Sequence, residues 1–116
     1  MNYCDSPYRF QRRETRPVTI GDTTDGGVVV GGSEPIVRQS MITCSTLNTE
    51  ASVEQSMALV DVGCQIVRIT AQTKRYAANL EHIVAGIRDR GSNVPVVADI
   101  HFKPDAAMEA VKWCEM

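Results

Sequence analysis

The sequence predicts an α/β fold in which short parallel strands alternate with helices. Runs of β-branched residues recur along the chain, and each is followed by a segment whose apolar residues have helical spacing. Polar residues fall at matching positions of three successive runs, Gln39, Arg68 and Asp99, roughly 30 residues apart. That interval is the length of one βαβ unit, and consecutive right-handed units build a parallel sheet.

Three such units indicate a larger closed architecture. A parallel barrel needs eight strands and about 250 residues, whereas this chain has 116. We therefore expect the amino-terminal part of a TIM (β/α)8 barrel, a β-hairpin followed by three β/α units, with the chain ending inside the third helix. The alternative is a small open sheet that is complete by itself, but its unpaired hydrophobic edges would favour association with other chains.

Composition and charge exclude several classes of protein. With 43% hydrophobic residues and a formal net charge of −2, the chain resembles a soluble globular domain and not a basic nucleic-acid binder. It has neither an apolar run of the ~20 residues that span a membrane nor the apolar core of a secretory signal, so we expect a cytoplasmic protein. The four cysteines, Cys4, Cys44, Cys64 and Cys114, form no CxxC motif, so the sequence predicts no metal site and a reducing compartment.

The first third of the chain predicts a leader and a hairpin. Residues 1–14 mix aromatic, basic and acidic side chains without a period, which indicates a loosely ordered leader before a barrel domain at 15–116. Pro17–Gly21 and Val28–Val30 have strand composition, and Asp22–Gly27 between them has turn composition. We expect this hairpin to cover one end of the core.

Three pairs of strand and helix follow the hairpin. The apolar runs predict parallel strands at about 36–41, 65–70 and 95–100. The first helix begins near Asn48 or Thr49, both of which are favourable N-cap residues.

Glycine and proline set the other helix boundaries. Gly63 ends the first helix, the second runs from about Lys74 to Arg90 before Gly91, and Pro104 occupies the first position of the third. We expect the third helix to continue to the end of the chain. The apolar faces are Val53, Met57 and Val60; Leu80, Ile83, Val84 and Ile87; and Ala107, Ala110, Val111 and Cys114.

The strand at 94–102 carries an acid and an imidazole at its carboxyl end, where α/β folds place their chemistry. Side chains alternate along a strand, so Asp99 and His101 point to the same face as Val97. In a barrel, the inward positions near the strand ends are Gln39, Arg68, Thr70, Asp99 and His101. The alternative is that the polar residues only cap the next helix.

Arg68 is the most informative of these residues. A guanidinium buried among Ile66, Val67 and Ile69 costs several kcal/mol unless an anion or several hydrogen bonds receive it. A phosphate or carboxylate ligand would accept it in a bidentate manner. An internal ion pair with Asp99 on the neighbouring strand is the alternative. His82, in the second helix, is expected at the surface.

Four motifs resemble those of one family. Ile36–Met41 resembles its PIRIQSM strand, Ile66–Thr70 its IVRIT strand, and Val96–Phe102 its LVADIHF strand, while Pro17–Gly32 is similar to its Val-x-Ile-Gly…Gly-Gly hairpin. In this order and spacing, residues 15–116 resemble the 4-hydroxy-3-methylbut-2-enyl diphosphate synthase family of the methylerythritol phosphate route to isoprenoids.

The resemblance implies an iron-sulfur oxidoreductase. The TIM barrel holds the substrate diphosphate, and a separate C-terminal domain carries a [4Fe-4S] cluster whose ligands are absent from this chain. Together they reductively open 2-C-methyl-D-erythritol 2,4-cyclodiphosphate and eliminate water, with ferredoxin or flavodoxin as electron donor. A homodimer is also implied, and this chain alone is expected to be inactive.

The resemblance also implies roles for particular residues. Arg68 matches a diphosphate-contacting arginine, with Gln39, Ser40 and Thr70 as further substrate-binding candidates. Asp99 and His101 are the catalytic candidates, with His101 either donating a proton to the departing hydroxyl or contacting phosphate.

Three segments qualify the resemblance. The loop Thr43–Thr49 and the five residues Thr23–Gly27 depart from the family pattern. The spacer Arg88–Asn93 resembles a longer form of the family that has an extra middle domain. Two alternatives remain open: another phosphate-binding barrel, such as a pterin or sugar-phosphate enzyme with its phosphate site on late strands, or a truncated product without enzymatic activity.

Overall fold

The computed structural model describes residues 13–116, so most of the predicted leader at 1–14 lies outside the described residues. Strands and helices follow one another in the predicted order. The elements are β1 Val18–Ile20, β2 Val28–Val30, β3 Gln39–Met41, α1 Thr49–Asp61, β4 Ile66–Ala71, α2 Lys74–Asp89, β5 Val96–Ile100 and α3 Pro104–Ala110.

The predicted hairpin is confirmed. β1 and β2 pair antiparallel, with Val18 opposite Val30. In the turn between them, the Asp22 carbonyl accepts hydrogen bonds from the amides of Asp25 and Gly27, at 2.9 and 2.6 Å. The Asp22 carboxylate accepts a further bond from the Thr24 amide at 2.9 Å, as expected of an Asx-turn.

The three predicted parallel strands are also confirmed, in the order β3-β4-β5. The first of them is shorter than predicted, because it begins at Gln39 and not near residue 36. Ile36 is 94% exposed and follows Pro35, which has no amide hydrogen to donate to a ladder. Arg38 already approaches β4, where its carbonyl accepts from the amides of Gln65 and Ile66.

The predicted bounds of the first two helices are confirmed to within about one residue. The side chain of Asn48 accepts a hydrogen bond from the Ala51 amide at 3.1 Å, so Asn48 is the N-cap of α1. Gly63 follows that helix with φ of 92°, and Gly91 follows α2 with φ of 85°, both in the left-handed region that favours glycine. α2 ends at Asp89, one residue before the predicted Arg90.

The main core lies between the helices and one face of the parallel sheet. Its buried residues come from alternate positions of β4 and β5 and from one stripe of α2, as the periodicity predicts. The members from these elements are Val67, Ile69, Ala71, Val96, Ala77, Leu80, Ile83 and Ile87. His82 is exposed, as predicted.

The prediction that α3 runs to the end of the chain is wrong. The helix ends at Ala110, Val111 is 69% exposed, and the chain turns back toward β5. Met116 then pairs with the outer edge of β5, since its carbonyl accepts from Ala98 at 2.8 Å and its amide donates to Val96 at 3.3 Å. These bonds satisfy edge groups that a continued helix would leave open.

Glu115 fixes this return of the chain. Its carboxylate accepts hydrogen bonds from the Val96 amide at 2.8 Å and from the Arg88 guanidinium at 2.7 Å.

The hairpin packs against the other face of the sheet. Ile20 forms a small buried cluster with Ile66 and Val97, both near the amino-terminal ends of their strands. The turn is held in place by Asn93, whose side chain donates to Asp25 at 2.7 Å. The hairpin therefore covers one end of the core, as predicted, and the structure shows that this is the amino-terminal end of the sheet.

Candidate functional site

The sheet face that does not pack against the helices is called the inner face. The hairpin covers its amino-terminal part, and polar residues occupy its uncovered, carboxyl-terminal part. Val67, Ile69 and Ala71 of β4 pack against the helices, so Arg68 and Thr70 project to the opposite face. The strand register aligns Thr70 with Asp99 on β5. In parallel strands, aligned residues share a face, so the sheet brings Arg68, Thr70 and Asp99 together.

Arg68 and Asp99 form an ion pair across the two strands, with Nη2 of the arginine 3.0 Å from Oδ1 of the aspartate. The side chain of Arg68 is 41% exposed and that of Asp99 is 19% exposed. The expectation of a fully buried guanidinium is therefore wrong, because alternation places Arg68 on the open face and not among Val67 and Ile69.

One donor of the Arg68 guanidinium has no partner among residues 13–116. Its Nε atom is buried, and the N–H group there donates no hydrogen bond to any of these residues. The internal ion pair with Asp99, the alternative to ligand binding, is thus present. Because the side chain of Arg68 is also 41% exposed, the rest of its guanidinium is accessible to an anion.

His101 approaches the same carboxylate from the carboxyl-terminal side. Its Nε2 atom lies 3.4 Å from Oδ2 of Asp99, and its side chain is 45% exposed. The hydrogen bond from Arg68 lowers the pKa of Asp99 below its ordinary value; desolvation opposes this shift and the contact with His101 adds to it. Asp99 is therefore an anion that holds two neighbouring donors.

The alternative in which His101 caps the third helix is wrong. The N-cap of α3 is Lys103, whose side chain makes no capping hydrogen bond, and a first-turn amide, that of Ala106, donates to the Asp105 carboxylate at 2.9 Å. Phe102, between His101 and Lys103, has φ of 58°, so the backbone changes direction directly after the histidine.

The three remaining candidates occupy different places. Gln39 is aligned with Ile66, toward the amino-terminal end of the inner face and away from the ion pair. Ser40 is aligned with Val67 and therefore lies on the opposite face, away from Arg68. Thr70 lies beside Asp99, and its carbonyl accepts from the Thr46 hydroxyl at 2.6 Å.

A cavity of about 530 Å³ at the same end of the sheet includes residues that sequence reasoning missed. It lies between the loop that follows β3, the end of β4 and the first turn of α2, and it includes Thr70. Gln72 and Tyr76 are the unexpected residues in its wall. One signal pointed here: loops after parallel strands carry the ligands of α/β barrels.

The described residues do not fit an iron-sulfur cluster. Cys44 follows β3, Cys64 precedes β4 at the opposite end of the sheet, and Cys114 lies near Met116. Burial raises the pKa of Cys114 to about 12, which disfavours the thiolate that a metal needs. Within 13–116, no three cysteine, histidine or acidic residues lie close enough to hold a metal ion.

The fold and the site define a class: a TIM-barrel unit that is covered at its amino-terminal end and polar at its carboxyl-terminal end. Comparison with known sequences shows which barrel this is. The sequence profile described as "GcpE TIM-barrel domain" matches residues 15–115, and the chain belongs to this family.

Curated relatives carry one name, 4-hydroxy-3-methylbut-2-en-1-yl diphosphate synthase (flavodoxin). The protein from Akkermansia muciniphila is 57% identical over 114 residues, covering 98% of this chain and 19% of the relative. Those from Leptospira interrogans and Protochlamydia amoebophila are 47% and 45% identical over 113 residues, covering 97% of this chain and 16% of each relative. The chain thus spans less than a fifth of the length of these relatives. In the part of the chain that the structure describes, no helix is long and apolar enough to span a membrane.

Proposed function

We propose that this chain supplies the diphosphate-binding part of a 4-hydroxy-3-methylbut-2-en-1-yl diphosphate synthase. The whole protein would reductively open 2-C-methyl-D-erythritol 2,4-cyclodiphosphate and release water. Family membership and the names of the relatives support this assignment. The observation that carries it is the cluster of Arg68, Asp99 and His101 at the carboxyl-terminal end of the sheet.

Arg68 would bind the diphosphate. Guanidinium stays charged at every working pH and matches a phosphate edge with parallel N–H groups. Asp99 accepts from one terminal nitrogen of Arg68, which fixes the side chain and leaves other donors for the ligand. A cation that is oriented before the ligand arrives stabilises the anionic substrate without reorganisation.

His101 would contact the substrate at the carboxyl-terminal end of the sheet. Its Nε2 atom faces Asp99, which leaves Nδ1 for a ligand. Through Nδ1 the imidazole would either hydrogen-bond a phosphate oxygen or donate a proton to the hydroxyl that departs as water. Asp99 is then a positioning residue for both Arg68 and His101. Gln39 and Ser40 remain weaker substrate-binding candidates, since Gln39 lies away from the ion pair and Ser40 lies on the other face of the sheet. Thr70 remains a substrate-binding candidate beside Asp99.

The redox partners belong to the whole protein. A [4Fe-4S] cluster, when bound, would supply the electrons for ring opening, and among residues 13–116 no three cysteine, histidine or acidic side chains lie close enough to bind a metal. The names of the relatives support flavodoxin as the electron donor, with ferredoxin as the alternative. We also propose that the full-length protein is a homodimer.

Calorimetric titration of the 116-residue chain with inorganic pyrophosphate tests the proposal. Arg68→Met keeps the length of the side chain and removes its charge, so we expect at least a tenfold weaker Kd, which corresponds to about 1.4 kcal/mol. Arg38→Met is the matched control, because Arg38 is exposed at the opposite end of the sheet and donates from Nε to the Gly63 carbonyl at 3.0 Å. Equal affinities for the wild type and Arg68→Met would contradict the proposal.

A further inference from the structure

We propose that the cavity beside β3 and β4 receives the uncharged, hydroxyl-bearing carbon part of the ligand whose phosphates bind Arg68. The inference rests on the proposed function and extends it from the charged end of the substrate to its carbon skeleton. It assigns specificity to Tyr76, Gln72 and Thr43, for which neither the motifs nor the comparisons suggest a role.

The cavity adjoins the charged cluster. Met41 and Thr70 belong to its wall, and the strand register aligns Met41 with Arg68 and Thr70 with Asp99. Aligned residues on neighbouring strands are about 5 Å apart. A ligand with phosphate on Arg68 therefore reaches the cavity with its next few atoms.

The walls of the cavity are held in place before any ligand binds. The side-chain carbonyl of Gln55 in α1 accepts from the amides of Thr43 and Cys44, at 2.8 and 3.3 Å. From α2, the side-chain amide of Asn79 donates to the Thr46 carbonyl at 2.6 Å. Both helices thus fix the loop after β3. A fixed loop lowers the entropic cost of binding, which is the property expected of a ligand pocket.

The chemistry of the lining selects the kind of ligand group. Among the described residues, no charged side chain lines the cavity, so it is unsuited to the phosphates themselves. Thr43, Gln72 and Tyr76 offer hydroxyl and amide groups, and Met41 offers a flexible apolar surface. This mixture suits a short branched polyol, whose hydroxyls need partners and whose methyl group needs an apolar contact.

The volume is consistent with this ligand. A cavity of about 530 Å³ lies within the range of roughly 300–1,000 Å³ that small-molecule sites occupy. It exceeds the need of a single phosphate, so a carbon skeleton fits the space better than an isolated anion does.

Titration with two ligands distinguishes binding in the cavity from binding at the charged cluster. The 116-residue chain is titrated with inorganic pyrophosphate, which lacks the carbon skeleton, and with 2-C-methyl-D-erythritol 2,4-cyclodiphosphate, which has it. Tyr76→Phe removes only a hydroxyl, and Thr43→Phe fills the cavity from an exposed position. Thr19→Val, on the exposed face of β1, is the matched control at the other end of the sheet.

We expect Tyr76→Phe to weaken cyclodiphosphate binding about three- to tenfold, since a hydrogen bond contributes about 0.5–1.5 kcal/mol. Thr43→Phe should weaken it more than tenfold, and neither variant should change the Kd for pyrophosphate. Unchanged cyclodiphosphate affinity in both variants, or equal losses for both ligands, would overturn the inference. Arg68→Met distinguishes the two proposals, because failure of the proposed function leaves pyrophosphate binding unaffected by that variant.

Discussion

The two ends of the parallel sheet differ although the same strands form them. At the amino-terminal end, Ile66 of β4 and Val97 of β5 pack against Ile20 of the hairpin and are buried. At the other end, Arg68 and Asp99, each two residues further along those strands, form a partly exposed ion pair. One end is covered by apolar contacts, and the other presents charge.

The difference shows how a β/α unit separates stability from chemistry. A strand needs apolar contacts on both faces where it is covered, but its inner face can carry polar groups where no element covers it. The hairpin provides the cover at one end only. We infer that substitutions at the amino-terminal end change the free energy of unfolding, whereas substitutions at the carboxyl-terminal end change binding.

The largest expected effect is at the covered end. Ile66→Ala should lower the free energy of unfolding by about 2–4 kcal/mol, because it leaves a cavity beneath the hairpin. Thr70→Ala, on the same face of the same strand, should cost less than about 1 kcal/mol, because its side chain is partly exposed. Urea denaturation of both variants measures the difference. Similar losses would mean that the two ends are equally important for folding.

The second largest effect is expected where α1 packs against α2, away from both ends of the sheet. A Cβ atom added at Gly86 of α2 would lie 2.7 Å from Cγ2 of Val53 in α1. Overpacking of this kind costs about 1–3 kcal/mol and outweighs the gain of about 1 kcal/mol in helix propensity. We therefore expect Gly86→Ala to destabilise the chain by about 1 kcal/mol.

A double-mutant cycle with Val53→Ala checks the cause of that loss. The smaller residue makes room for the new methyl group, so Gly86→Ala should be less harmful in the Val53→Ala background. Additive losses in the cycle would show that the contact between the two helices is not responsible.

A smaller effect on stability is expected for Arg68→Met. The pair is partly solvated, with Arg68 41% exposed, and pairs of this kind contribute about 0–1 kcal/mol. Thermal melts should therefore change little while pyrophosphate affinity falls. A loss of several kcal/mol in stability would instead identify Arg68 as a structural residue whose removal strands the Asp99 carboxylate.

The smallest effect is a dependence on pH. The pKa of Asp99 is lowered in the folded chain from its ordinary value of 3.8, mainly by the hydrogen bond from Arg68. The contribution of Asp99 to stability is therefore complete above that ordinary value and is lost as the pH falls through the lower folded pKa. Asp99→Asn should remove this part of the acid sensitivity.

Chemical denaturation from pH 6 down to about pH 2 compares the two proteins. We expect the stability difference between the wild type and Asp99→Asn to shrink below about pH 4. A difference that stays constant over this range would show that Asp99 does not titrate below its ordinary value.

Local signals made most of the fold predictable. Asn48 and Gly63 mark the ends of α1 because capping depends on a few neighbouring residues. Side chains alternate along β4, so Arg68 lies on the face opposite Val67. This placement can also be predicted from neighbouring residues alone.

The rest depends on contacts between distant residues. α3 ends at Ala110 because Glu115 and Met116 form hydrogen bonds with the edge of β5. The helical pattern of the sequence does not show that these bonds compete with a longer helix. The cavity escaped prediction for the same reason, since its loop is fixed by Gln55 and Asn79 from two different helices.

Mapping of pyrophosphate binding by amide NMR tests the central claim most directly. We expect pyrophosphate to shift the resonances of Thr70, His101 and Phe102 at the carboxyl-terminal end of the sheet. Those of the hairpin, Val18–Val30, should remain unchanged. Shifts confined to the hairpin, or spread evenly over both ends, would contradict the assignment of binding to the Arg68 cluster.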